Sequence, residues 1–78
     1  MAAKIRVRLF FQYQEHGPQG RGDFDWELAP GTRVEQVLSD LGLPDETKVV
    51  LINGRQAGPG QVLQANDLLV VFPPVEGG

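Results

Sequence analysis

The sequence predicts an α+β two-layer domain, a mixed sheet with one helix packed on one face. Three observations carry this: two early segments that alternate apolar and polar residues, one short amphipathic stretch with start and stop signals, and two later β-branched runs. The 78 residues hold 7 Lys+Arg against 10 Asp+Glu and are 41% hydrophobic, enough for one core at a net charge of -3. A chain of this size buries roughly 60–65% of its unfolded surface, which leaves no room for a two-lobed cleft and argues against a self-sufficient enzyme. With no cysteine, the sequence excludes disulfides, thiolate metal sites and a cysteine nucleophile. The acidic balance disfavours a nucleic-acid module, which needs a basic face. No apolar signal core follows Met1-Ala2-Ala3-Lys4. The longest apolar runs, Val49–Ile52 and Leu68–Phe72, fall far short of the roughly 20 residues of a membrane span. A cytoplasmic protein with no membrane partner is the expectation.

The first strand is read from Lys4 to Leu9, with Ile5, Val7 and Leu9 inward and Lys4, Arg6, Arg8 and then Phe10 outward. Polar, Gly- and Pro-containing Gln12–Gly22 reads as a loop. Asp23–Leu28 alternates again, with Phe24, Trp26 and Leu28 inward and three acids outward. If the two strands pair, a row of Lys4, Arg6 and Arg8 meets a row of Asp23, Asp25 and Glu27. The helix is expected over Thr32–Leu41. Thr32 and Glu35 form a capping box, Val34, Val37, Leu38 and Leu41 make one apolar stripe, and Gly42 and Pro44 end it. Lys48–Ile52 reads as a buried strand, Asn53-Gly54 as a two-residue hairpin turn, and Arg55–Ala57 as a short return. Leu68–Phe72 is the last strand, placed beside the first in the sheet centre and stopped by Pro73-Pro74.

Within this body little is reactive. His16, the single histidine, reads as a solvated loop residue, and the carboxylates sit on outer strand positions or helix ends rather than as an acid–base pair. Gly17–Gly22 lacks the Walker lysine and precedes a strand, so it is a loop and not a phosphate cradle. No metal site is expected. The end of the chain differs. A buried strand leads through a Pro73-Pro74 spacer to Val75, Glu76, Gly77 and Gly78. Glycine has no Cβ, so such an end can thread a channel too narrow for other residues. Its Gly78 carboxylate is a poor electrophile until another enzyme activates it.

The ending Phe72-Pro73-Pro74-Val75-Glu76-Gly77-Gly78, behind Asn66-Asp67-Leu68 and this strand order, resembles the MoaD/ThiS family of ubiquitin-like sulfur carriers. It is most similar to the MoaD branch, the small subunit of molybdopterin synthase. Leu9-Phe10-Phe11, the Thr32–Leu41 helix and the Val50–Gly54 turn extend the likeness over essentially the whole chain. Two departures are Glu76, where many relatives carry a small neutral residue, and the Gly17–Gly22 loop, where relatives often have a helical turn. The resemblance implies a β-grasp domain over residues 1–74 with a flexible tail at 75–78. It implies a protein that is not catalytic by itself and binds no cofactor of its own. A MoeB/ThiF-like adenylyltransferase would use ATP to adenylate Gly78, next to Gly77, and a sulfur donor would convert it to a thiocarboxylate. A MoaE-like large synthase subunit would then receive the sulfur for molybdopterin biosynthesis. Carriers for thiamine thiazole or tRNA thiolation, and ubiquitin-like modifiers, share the same ending. Docking requires a surface as well as the tail segment Pro73, Pro74, Val75 and Glu76. Strand parity puts Phe10, Val70 and Phe72, with Leu51 alongside, on the face away from the helix, although Leu51 and Val70 also fit a core role.

Overall fold

Opposite charges face each other across the first strand pairing. In a computed structural model, which describes residues 2–74, β1 (Ala3–Leu9) and β2 (Asp23–Leu28) run antiparallel. The register puts Lys4 opposite Glu27, Arg6 opposite Asp25 and Arg8 opposite Asp23, the charge rows expected from the sequence. Ile5, Val7, Leu9, Phe24 and Leu28 are buried on the other face. Trp26 has the inward parity but stays half-buried, edge-on to Phe24 with ring centroids 5.9 Å apart. β2 is an edge strand, where one flank of the indole has no neighbouring strand to cover it.

The Gln12–Gly22 segment is not the open loop that its polarity suggests. It winds into two short 3₁₀ turns, Phe11–His16 and Pro18–Gly20. The reason is Tyr13. Its ring is buried in the core while its hydroxyl donates to Glu46 Oε1 at 3.1 Å, so one aromatic pins a polar stretch.

The helix α1 (Val34–Asp40) begins one residue later than the Thr32 cap implied. Thr32 Oγ1 donates to Ala29 O at 2.6 Å, and the residue before the helix is Arg33, whose N–H donates to Gln36 Oε1 at 2.8 Å. A helix leaves its first N–H groups without partners, and a hydroxyl cap is the usual remedy. Here a distant segment provides it: Val34 N donates to Gln61 O and Glu35 N to Pro59 O, at 2.9 and 3.0 Å. The exit follows the sequence. Gly42 adopts φ 75, with Gly42 N donating to Ser39 O and Leu43 N to Leu38 O, closing the helix in the left-handed turn that glycine favours.

The chain continues as β3 (Val49–Ile52), a turn, β4 (Arg55–Gln56) and β5 (Leu68–Phe72). Sheet order is β2-β1-β5-β3-β4, with β5 parallel to β1 and every other pair antiparallel. The first and last strands thus lie side by side in the centre, as their apolar lengths predict. Val34 and Val37 of α1, with Leu41 just after it, join Val7, Val50, Leu69 and Val71 in one buried cluster under the helix. Leu63 completes it from the connection before β5, anchored where Leu63 N donates to Thr32 O. This is the β-grasp, ubiquitin-like architecture expected, one helix on one face of a mixed sheet.

Candidate functional site

Side-chain period decides which residues the sheet leaves uncovered. Successive strand residues point to opposite faces, so with Leu69 and Val71 buried under α1, the open face carries Leu68, Val70 and Phe72 of β5. β3 presents Val49 and Leu51 there, because Val49 pairs with Phe72 and Leu51 with Val70. All five are half-buried rather than covered. Phe10 follows β1, and its N–H donates to Val71 O at 3.1 Å, which carries the β1–β5 ladder one step further and sets Phe10 alongside Phe72. Phe10 is 41% exposed. The expected set of Phe10, Leu51, Val70 and Phe72 therefore lies on one face, and Leu51 and Val70 belong to it rather than to the core.

Val49 and Leu68 were missed. Leu68 shares parity with Val70 and Phe72, a signal available in the sequence. Val49 is recruited by the β3–β5 register, which no local pattern encodes. Phe11 is the other addition, 71% exposed and held at φ 58. That left-handed conformation costs a residue with a Cβ roughly 1–2 kcal/mol. It stands at the end of the sheet where β5 finishes.

Beyond Phe72, Pro73 is half-buried and Pro74 exposed. Val75, Glu76, Gly77 and Gly78 lie outside the described residues.

The other half of the open face is charged. Arg6 Nε donates to Asp23 Oδ1 at 2.6 Å and Arg6 Nη1 to Asp25 Oδ1 at 3.1 Å, while Arg8 Nε lies 3.7 Å from Asp23 Oδ1. The hydrogen bond from Arg6 holds the Asp23 carboxyl below its ordinary value, and the two acids push the Arg6 guanidinium further up. Tyr13 is the other perturbed group. Burial, then the bond to Glu46, raises its hydroxyl, as suits a structural anchor.

Among the described residues no group of three or more His, Asp and Glu side chains that could hold a metal ion comes together. A groove of about 800 Å³ opens on the opposite side, between α1 and the Leu43–Lys48 loop, with Leu38, Leu43 and Ala57 in its walls. Among the described residues no helix is long and apolar enough to cross a membrane.

Comparison with known proteins agrees with this geometry. The ThiS family model matches residues 7–78. No curated protein matches the chain in sequence. Among solved structures, SAMP1 from Haloferax volcanii is 26% identical with a TM-score of 0.73, covering 97% of this chain and 100% of its own. A Pyrococcus furiosus protein ascribed to molybdopterin converting factor, subunit 1, gives a TM-score of 0.77 at 23% identity, covering 94% and 99%. A ubiquitin of Caldiarchaeum subterraneum gives 0.62 at 20% identity, covering 100% of both chains. The last two are likenesses of fold.

Proposed function

The chain belongs to the ThiS family of ubiquitin-like proteins, and from that premise we propose that it is a sulfur carrier whose working group is the Gly78 carboxylate. The supporting observation is that an apolar row on the open face leads along β5 to the root of a segment ending in Gly77-Gly78. Four residues beyond Pro74 reach at most about 14 Å. An enzyme that acts on the terminal carboxyl must therefore come close to this end of the sheet. Phe10, Leu51, Val70 and Phe72 are the docking residues in this reading, with Pro73, Pro74, Val75 and Glu76 as the segment that the partner grips.

The chemistry follows from what the chain lacks. Without a cysteine, sulfur has to ride on the main-chain end. A carboxylate is resonance-stabilised, so an adenylyltransferase uses ATP to form the acyl-adenylate, expelling pyrophosphate. The persulfide of a donor protein then displaces AMP to give an acyl disulfide, and a second thiol on a partner cleaves its S–S bond, leaving the thiocarboxylate and a disulfide among the partner thiols. The carrier itself holds no cofactor, and ATP is bound by the activating partner. The Phe72-Pro73-Pro74-Val75 ending favours delivery to a molybdopterin synthase large subunit over thiamine thiazole or tRNA thiolation.

Intact mass spectrometry after incubation with an adenylyltransferase, ATP and a sulfur donor tests this. The expected product gains the mass of sulfur in place of oxygen at Gly78, and one residue appended after Gly78 abolishes the gain. A mass unchanged under conditions that load another carrier would refute the reading. The 26% identity to SAMP1, a small archaeal modifier, favours a second outcome, conjugation to lysines. Heavier protein adducts that disappear with Gly78 would reveal it.

A further inference from the structure

The Asn53-Gly54 turn is a sequence motif that the carrier chemistry does not use. Asn53 adopts φ 53 and Gly54 φ 83, the paired left-handed geometry of a tight hairpin turn between β3 and β4. Both residues are exposed, and open space surrounds Gly54 on the side where a Cβ would stand. The Asn53 side chain is engaged through both its nitrogen and its oxygen. Its Nδ2 donates to Asp67 Oδ1 at 2.9 Å, and its Oδ1 accepts from Leu68 N at 2.9 Å. Asn53 N donates to Leu68 O, also at 2.9 Å. The second Asp67 oxygen accepts from Gln64 N at 2.8 Å, and Asp67 O accepts from Arg6 N. One carboxamide thus ties the β3–β4 turn to the start of β5.

We infer that Asn53 is a site of spontaneous deamidation, and that its product loosens this junction. The main-chain nitrogen of Gly54 attacks Asn53 Cγ. The N–Cγ bond forms, the Cγ–Nδ2 bond breaks, and Nδ2 departs as ammonia carrying the proton from Gly54. Water then opens the five-membered imide to aspartate or isoaspartate, with no oxidant or reductant required. Glycine leaves the attacking nitrogen unshielded because it has no Cβ. The other asparagine in the chain, Asn66, precedes Asp67 and lacks that advantage, so it serves as an internal control.

The product changes the sign of the contact. A carboxylate oxygen replaces the Nδ2 donor and faces Asp67 Oδ1 at hydrogen-bond distance. Two carboxylates that close cannot both stay ionised without repulsion. Isoaspartate also adds an atom to the main chain in a turn whose two residues both hold positive φ.

The full chain, incubated at mildly alkaline pH and mapped by peptide mass spectrometry, gives the first readout. Amide-to-acid conversion is expected at least about tenfold faster at Asn53 than at Asn66. This comparison uses the unaltered protein and depends on no variant folding. The second readout is thermal. Asn53→Asp is expected to lower Tm by about 4–8 °C. The double variant Asn53→Asp with Asp67→Asn is expected to recover at least about half of that loss, because the amide introduced at position 67 donates to the carboxylate introduced at position 53. Equal rates at the two asparagines, an unchanged Tm for Asn53→Asp, or a double variant no more stable than the single one overturns the inference.

Discussion

The open face of the sheet is two surfaces side by side. Across β1 and β2, opposite charges lie at paired positions, and Arg6 bridges Asp23 and Asp25, so this half satisfies itself within the chain. Across β5 and β3, Leu68, Val70, Phe72, Val49 and Leu51 form a row that the helix does not cover, because α1 lies on the other face. Both halves obey the same period of two. The difference between them is chemical, and it teaches where to look for a partner. Exposed ion pairs of this kind contribute little to stability or affinity, whereas an uncovered apolar row gains from being removed from water.

The largest contrast is expected at Phe72. Phe72→Asp is expected to weaken binding of the activating enzyme by about 30-fold or more, the loss typical of a central interface residue. Its Tm should fall far less than that of Leu69→Ala, which empties a fully buried site on the other face and costs about 2–5 kcal/mol. Affinity titration and thermal melts on the two variants check this. Wild-type affinity in Phe72→Asp would remove the docking role from the apolar half.

A smaller effect is expected in the charged half. Arg6→Glu places a like charge against Asp23 and Asp25. It is expected to lower Tm modestly, less so as salt is raised, and to leave partner affinity within about twofold. A large loss of affinity would mean that the two halves act as one surface.

The smallest effect concerns acid. The Asp23 carboxyl is held below its usual 3.8 by Arg6, so its folded state releases the proton more readily than its unfolded state. That contribution is present above the ordinary carboxylate range and is lost as pH falls through the lowered value. Asp23→Asn is expected to flatten the dependence of Tm on pH below about 4, slightly, since the group is half-exposed. Parallel melts of the parent and the variant at matched ionic strength measure it.

These contrasts also explain what could be read from the sequence alone. Lys4, Arg6 and Arg8 against Asp23, Asp25 and Glu27 revealed a strand pairing because each residue's face and partner are coded locally. The apolar stripe of α1 and its Gly42 stop were legible for the same reason. Its start was not, because Val34 and Glu35 find their acceptors at Gln61 and Pro59, far along the chain. Tyr13 and Leu63 escaped notice as core residues because each stands alone in a polar stretch, with no periodicity to mark it. At the candidate site, Phe10, Val70 and Phe72 followed from parity, whereas Val49 needed the β3–β5 register.

The parallel seam at the middle of the sheet has a consequence for the timing of assembly. Arg6 and Leu68 are ladder partners although 62 positions separate them, and such long-range closure comes slowly in folding. The strand that leads into the glycines is thus paired on both flanks only once the first strand has joined it, its other flank being held by β3. In the proposed reading, a misfolded or shortened copy would offer a loose end to an activating enzyme without the platform beside it. Integrity of the body would then be checked at the moment its terminus is charged.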